Sequence, residues 1–149
     1  MQPSIQTVPP ERYVVLYDGH CKFCAVQMGN LVALARSGSV EAVDFQQPGA
    51  LKRFPGLSHE ACMEAMHLVT PDGRVYRGFE AAVQAVATRP VLGLLARVYY
   101  LPGIRQLCDR LYALVAAHRY RIMGRLAATS DCEGGTCSFH AHSGTARSK

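Results

Sequence analysis

The chain has no tryptophan, few aromatic residues of any kind (8%) and only 18% charged residues. No apolar run reaches the ~20 residues a membrane-spanning helix needs, which argues against an integral membrane protein. The opening stretch, Met1 to Arg12, is polar and proline-bearing and lacks the apolar core of a secretory leader. The expected compartment is therefore the cytoplasm, where thiols are mostly kept reduced. No flavin or nicotinamide fingerprint is present, so no bound cofactor is expected. No internal repeat is visible. Six cysteines in 149 residues fall short of the density of a disulfide scaffold. They need explaining by reactivity, metal binding or burial.

What is present suits one globular domain. The apolar share is 49%, and a chain of this length buries a sizeable core without staples. The formal net charge is +5, and most of the excess sits in residues 104–149, with seven Arg/Lys against three Asp/Glu. Interleaved aromatics and basic motif spacing are missing, so no nucleic acid partner is expected and the charge reads as a solvated helix face. A basic C-terminal helix that binds an acidic partner is the scaffold alternative. Residues 1–11 read as a flexible N-terminus, 12–126 as the folded domain and 127–149 as a mobile tail containing Cys and His.

Tyr13–Tyr17 is a β-branched and aromatic run that reads as a buried strand. Asp18–Gly19–His20 is a turn. A helix is expected from about Cys21 to Arg36, with Cys21, Cys24, Met28, Leu31 and Ala35 on one face. Val40–Phe45 reads as a second strand, parallel to the first. Residues 46–57 are loop or broken helix, and Ser58 is a plausible N-cap for a short helix. His67–Val69 and Arg74–Tyr76 flank the turn Thr70–Pro71–Asp72–Gly73 as an antiparallel hairpin. A helix around Phe79–Val86 follows. The fold class is α/β, a thioredoxin-like β-α-β / β-β-α sheet with two extra C-terminal helices. Those helices run from about Val91 to Tyr100 and Ile104 to Arg121, split by Pro102–Gly103. In the second, Ile104, Leu107, Cys108, Leu111, Val115 and Ile122 form an apolar stripe expected to pack onto the sheet.

Cys21–Lys22–Phe23–Cys24 carries the most chemistry. Spacing of i, i+3 on a helix brings the side chains to about 5–6 Å between Cβ atoms, close to disulfide range. The pair follows a strand and opens a helix, where free N–H groups and the helix dipole favour a thiolate. Cys21 is nearest that end and is assigned as the attacking nucleophile. Cys24, one turn deeper and expected to be more buried, is the resolving thiol. Asp18, three residues before Cys21, is a candidate either for proton transfer to or from Cys24 or for the helix cap. The same Cys pair also suits half of a zinc site, or two inert core thiols.

Tyr17–Asp18–Gly19–His20–Cys21–Lys22–Phe23–Cys24 resembles the signature of the DCC family of thiol-disulfide oxidoreductases, named for an Asp-x-x-Cys-x-x-Cys motif. His67–Leu68–Val69 with Asp72–Gly78, Leu101–Pro102–Gly103 and the Tyr112–Arg121 stretch look like further landmarks of that family. The resemblance covers about residues 12 to 125. It implies a thioredoxin-like domain that exchanges its dithiol with a disulfide-containing substrate. One departure from ordinary thioredoxins stands out. They place a cis-proline just before the third strand, where this chain has Glu64–Ala65–Met66. The phenyl ring of Phe23 before the second cysteine makes glutathione a candidate reductant, alongside a thioredoxin system.

Cys62 and Cys108 fall on apolar helix faces and read as small core hydrophobes. His59 and His118 read as surface groups. In the tail, Cys132, Cys137, His140 and His142 have the spacing of a metal site with soft and imidazole ligands. The alternative function is thus a zinc-binding or structural thiol module that joins Cys21 and Cys24 to Cys132 and Cys137. A third reading makes Cys132 and Cys137 a shuttle dithiol for Cys21 and Cys24.

Overall fold

The structure, a computed structural model, describes residues 9–126. The tail residues Cys132, Cys137, His140 and His142 lie outside the described residues, as does most of the N-terminal segment. Four strands form one sheet: β1 (Tyr13–Tyr17), β2 (Val40–Asp44), β3 (His67–Val69) and β4 (Val75–Arg77). Their order is β2-β1-β3-β4. β2 runs parallel to β1, while β3 is antiparallel to both β1 and β4. This is the sheet expected of a thioredoxin-like domain. The helices are α1 (Lys22–Leu34), α2 (His59–Glu64), α3 (Phe79–Val86), α4 (Pro90–Tyr99) and α5 (Ile104–Met123).

β1 is a central strand with a neighbour on each edge, and both its faces are covered. That is why Tyr13–Tyr17 reads as a continuous apolar run rather than an alternating one. Side chains still alternate between faces. Val14 and Leu16 join Val43, Phe54, Cys62 and Val69 on one side. Val15 and Tyr17 join Met28, Leu31, Leu68 and Ala85 on the other. α1 and α3 cover the second face. The first is covered by α2 and by a 3-10 turn at Ala50–Arg53, inside the segment expected to be loop or broken helix. Ser58 caps α2 as expected, its Oγ accepting the Ala61 N–H at 3.1 Å.

The exit from β1 is tight. Asp44, at the end of β2, accepts the Gly19 N–H at 2.9 Å through Oδ1. A Cβ at Gly19 would land on the Asp44 carboxylate, so any larger residue would have to displace that side chain and its hydrogen bond. The turn that leads from the sheet to the first cysteine is therefore pinned to the neighbouring strand.

One expectation fails. The apolar stripe of α5 does not lie on the sheet: Leu107 is 59% exposed and Leu111 53%. α5 leans on α1, α3 and α4 instead. Tyr112 Oη accepts the Met66 N–H at 2.9 Å, and Arg119 is the buried residue of the helix. The sheet face that the stripe was expected to cover is already filled by α1 and α3.

His67 on β3 is buried, and its Nδ1 has no hydrogen-bond partner. Burial pushes its basicity below the usual value of 6.5, with Arg77 acting in the same direction. A lowered folded-state value means that the unfolded chain takes the proton first as pH falls. Stability should therefore decline as pH drops below 6.5, where the unfolded histidine begins to protonate. His67→Leu should flatten this slope in urea titrations run across that range, and an unchanged slope would place the acid sensitivity elsewhere.

Candidate active site

The dithiol sits where β1 hands over to α1. Cys21 is the N-cap of α1 with extended backbone, and its Sγ accepts the Cys24 N–H at 3.2 Å. The sulfur itself thus satisfies one of the orphan N–H groups at the helix start. Asp18 does not cap the helix. Its Oδ1 accepts the His20 N–H at 3.1 Å and closes the turn instead. Both thiols are free. Burial, first, then the bond to Cys21 and that sulfur's charge hold the Cys24 proton on, while Arg119 opposes them. The positive end of the α1 dipole meanwhile points at Cys21.

Burial of the two thiols is the reverse of the expected order. Cys21 is 0% exposed, whereas Cys24 is only half-buried. The cover comes from the C-terminal end of the domain. The Lys22 N–H donates to Gly124 O at 3.3 Å, and the Leu126 N–H donates to His20 O at 2.9 Å. Cys21 and Arg125 form an antiparallel bridge between them. A residue more than a hundred positions away in sequence thus closes over the first cysteine.

Asp18 is the anchor of this closure. Its side chain is 0% exposed and that of Arg119 9%, with Nη2 of the arginine 3.4 Å from Oδ2 of the carboxylate. Tyr120 donates its hydroxyl to the same Oδ2. Gln46 donates to Oδ1 at 3.1 Å. Arg119 also donates to the carbonyl of Met63 at 2.6 Å. Burial, with help from the Asp18 bond and charge, pushes the Tyr120 hydroxyl up to about 12, so it remains a donor at neutral pH.

Beside the dithiol a cavity of about 480 Å³ opens between α1, α3 and α5. Cys24, Asp18 and Arg119 are in its wall, and most of the rest is apolar, including Met28, Leu31, Phe79 and Val115. Its size falls in the range of small-molecule sites. Cys62 and Cys108 also line it. Cys62 is buried, and desolvation pushes its thiol up to about 11, which suits an inert core group. Met66, in the Glu64–Ala65–Met66 stretch just before β3, gives its N–H to Tyr112 and so uses a donor that proline would lack. Among the described residues no group of three or more His, Cys, Asp or Glu is placed to hold a metal. No helix there is long and apolar enough to cross a membrane.

The family profile of the DCC1-like thiol-disulfide oxidoreductases matches residues 15–125, from the middle of β1 to the residue that bridges Cys21. The chain belongs to this family. It is also similar to an uncharacterised chloroplastic protein of Arabidopsis thaliana, with 26% identity over 113 residues, 74% of this chain and 52% of that protein. The chain spans about half the length of that relative. No solved structure matches.

In this DCC1-like domain the sequence motif marks Asp18, Cys21 and Cys24, and the fold brings all three to one turn. It adds Arg119, Tyr120 and Gln46, which motif reading did not single out. His118, weighed earlier as a surface group, is exposed and bonds only along its own helix. An arginine and a tyrosine at the end of an apolar-striped helix were the only signal, and they read equally well as solvated residues.

Arg119→Met should cost about 3–5 kcal/mol in urea melts, because Asp18 is left buried without its counter-charge. Asp18→Asn combined with Arg119→Met should recover much of that loss. Strictly additive losses in the double variant would show that the two groups do not act as a pair.

Proposed function

We propose that Cys21 and Cys24 carry out thiol–disulfide exchange, with Cys21 as nucleophile and Cys24 as resolving thiol. The observation that carries this reading is the Cys21 sulfur at the N-cap of α1, taking the Cys24 N–H. Negative charge on that sulfur meets a hydrogen-bond donor and the helix dipole, while Cys24 keeps its proton. The Cys21 thiolate attacks one sulfur of a substrate disulfide and forms a mixed disulfide, and the first product leaves as a thiolate. Cys24 then gives up its proton and attacks the Cys21 sulfur. The second product thiol leaves and the Cys21–Cys24 disulfide closes. One substrate disulfide thus becomes two thiols at the expense of two enzyme thiols.

Asp18 is the buried carboxylate in the same cavity wall as Cys24, and we assign it to receive the Cys24 proton in the second step. The apolar cavity suits a substrate disulfide flanked by apolar groups. Re-reduction requires an outside thiol, of the glutathione or thioredoxin-system type. The chemistry fits a compartment that keeps thiols reduced, such as the cytoplasm.

Cys24→Ser should accumulate a mixed disulfide on Cys21 when challenged with a model disulfide, as read by intact mass and peptide mapping. Cys21→Ser should form none. Asp18→Asn should slow resolution of the mixed disulfide by about 100-fold at neutral pH, far more than it slows its formation. A mixed disulfide found on Cys24 would reverse the two roles, and exchange at neither cysteine would refute the reading.

A further inference from the structure

Helices α4 and α5 hold rows of apolar side chains in solvent. On α4, Val91 is 76% exposed, Leu94 65% and Leu95 63%. On α5, Leu107, Leu111 and Leu114 stand at helical spacing, each more than half exposed. The two helices pack against each other, so both rows belong to one helical hairpin. Single exposed leucines are ordinary, but a face of them marks a surface that binds.

The same hairpin is strongly basic. From Arg89 to Leu126 there are seven arginines and one acidic residue, Asp109, a net +6 where the whole chain has +5. Arg105 and Arg119 are engaged by Glu80 and Asp18. Arg97, Arg110 and Arg121 are exposed and form no ion pair among the described residues. Arg97 follows Leu94 by three residues. Arg110 follows Leu107 by three and precedes Leu114 by four. Each therefore lies beside leucines on its own helix.

We infer that the α4–α5 hairpin docks on an anionic lipid bilayer, lying in its surface with the mouth of the dithiol cavity against the lipid. The leucines enter the acyl boundary, and the arginine stems reach back to set their guanidinium groups among the headgroup phosphates. Apolar area and basic charge on one face are the two contributions such binding needs. A second copy of the chain fits this face less well. A two-fold contact would bring the same unpaired arginines from both copies together.

The cavity ties the docking to the chemistry. Leu111 and Val115 line its wall along with Cys24 and are also exposed, so its mouth opens on the leucine row of α5. This part rests on the exchange chemistry proposed above and deepens it. The substrate is a lipid-soluble disulfide, which passes from the bilayer to Cys21 and Cys24 without crossing water.

The test co-sediments the full chain with vesicles of pure phosphatidylglycerol or pure phosphatidylcholine. Binding to the anionic vesicles is expected, weakened by added salt, with little to the neutral ones. Arg97→Gln and Arg110→Gln should each lower the affinity about fivefold. Leu107→Ser with Leu114→Ser should lower it at least about tenfold and leave circular dichroism unchanged. Absence of sedimentation with phosphatidylglycerol, equal binding to both lipids, or undiminished binding of the leucine variant would overturn the inference. So would a dimer in analytical ultracentrifugation that the leucine substitutions dissolve while vesicles capture nothing. In the second arm, dioctyl disulfide carried in phosphatidylglycerol vesicles should be reduced at least about tenfold more slowly by the leucine variant, with a water-soluble disulfide reduced as by the unaltered chain. Equal rates on the vesicle-borne disulfide would remove the lipid-soluble substrate. Failure of the unaltered chain to reduce either disulfide would sink the exchange chemistry, while sedimentation of the Cys21→Ser variant would still read the docking.

Discussion

The buried pair of Asp18 and Arg119 is the interaction on which the rest of the site depends. A carboxylate at the end of a central strand, fully out of solvent, is costly unless it is paired and hydrogen-bonded. Here it is paired with Arg119, takes the Tyr120 hydroxyl and the Gln46 amide, and accepts the His20 N–H of its own turn. These contacts fasten the end of α5 to the turn that carries the dithiol. With α5 in place, Gly124–Leu126 falls across Cys21, and one side of the apolar cavity beside Cys24 is formed. The C-terminal helix is thus part of the architecture around the dithiol rather than an addition to the sheet.

The cysteines divide by environment. Cys21 stands at a helix start with the Cys24 N–H on its sulfur. Cys24 holds its proton because it is desolvated and faces Cys21. Cys62 lies in the core below the sheet, with desolvation alone raising it. Among the described cysteines, Cys21 and Cys24 combine proximity, a helix N-cap sulfur and a neighbouring buried carboxylate. That combination, rather than the motif by itself, suits the pair to dithiol exchange.

Much of the fold was legible because local signals agreed with the tertiary answer. The run Tyr13–Tyr17 became a strand buried on both faces, Ser58 capped α2, and the Pro71–Gly73 turn joined β3 to β4. The positions of Cys21 and Cys24 at the start of α1 could be read from strand, turn and period together. What escaped depends on contacts across a hundred residues. Helix periodicity assigned the apolar stripe of α5 to the core, yet the sheet face was already taken and the helix docked through Tyr112, Arg119 and Tyr120. The burial order of the cysteines was misjudged for the same reason. Depth along α1 favours burying Cys24, but the cover on Cys21 comes from residues 124–126. Asp18 stands out in the motif, while its partners Arg119, Tyr120 and Gln46 are not identifiable from spacing.

The central claim is that Cys21 and Cys24 form a reversible redox couple. The most direct measurement is a redox titration of the full chain in glutathione buffers, with thiols trapped and located by peptide mass. The account predicts a two-electron transition confined at first to Cys21 and Cys24, with Cys62 reduced throughout. If Cys21 and Cys24 remain thiols across the whole range of buffers, the dithiol is not redox-active and the account is wrong.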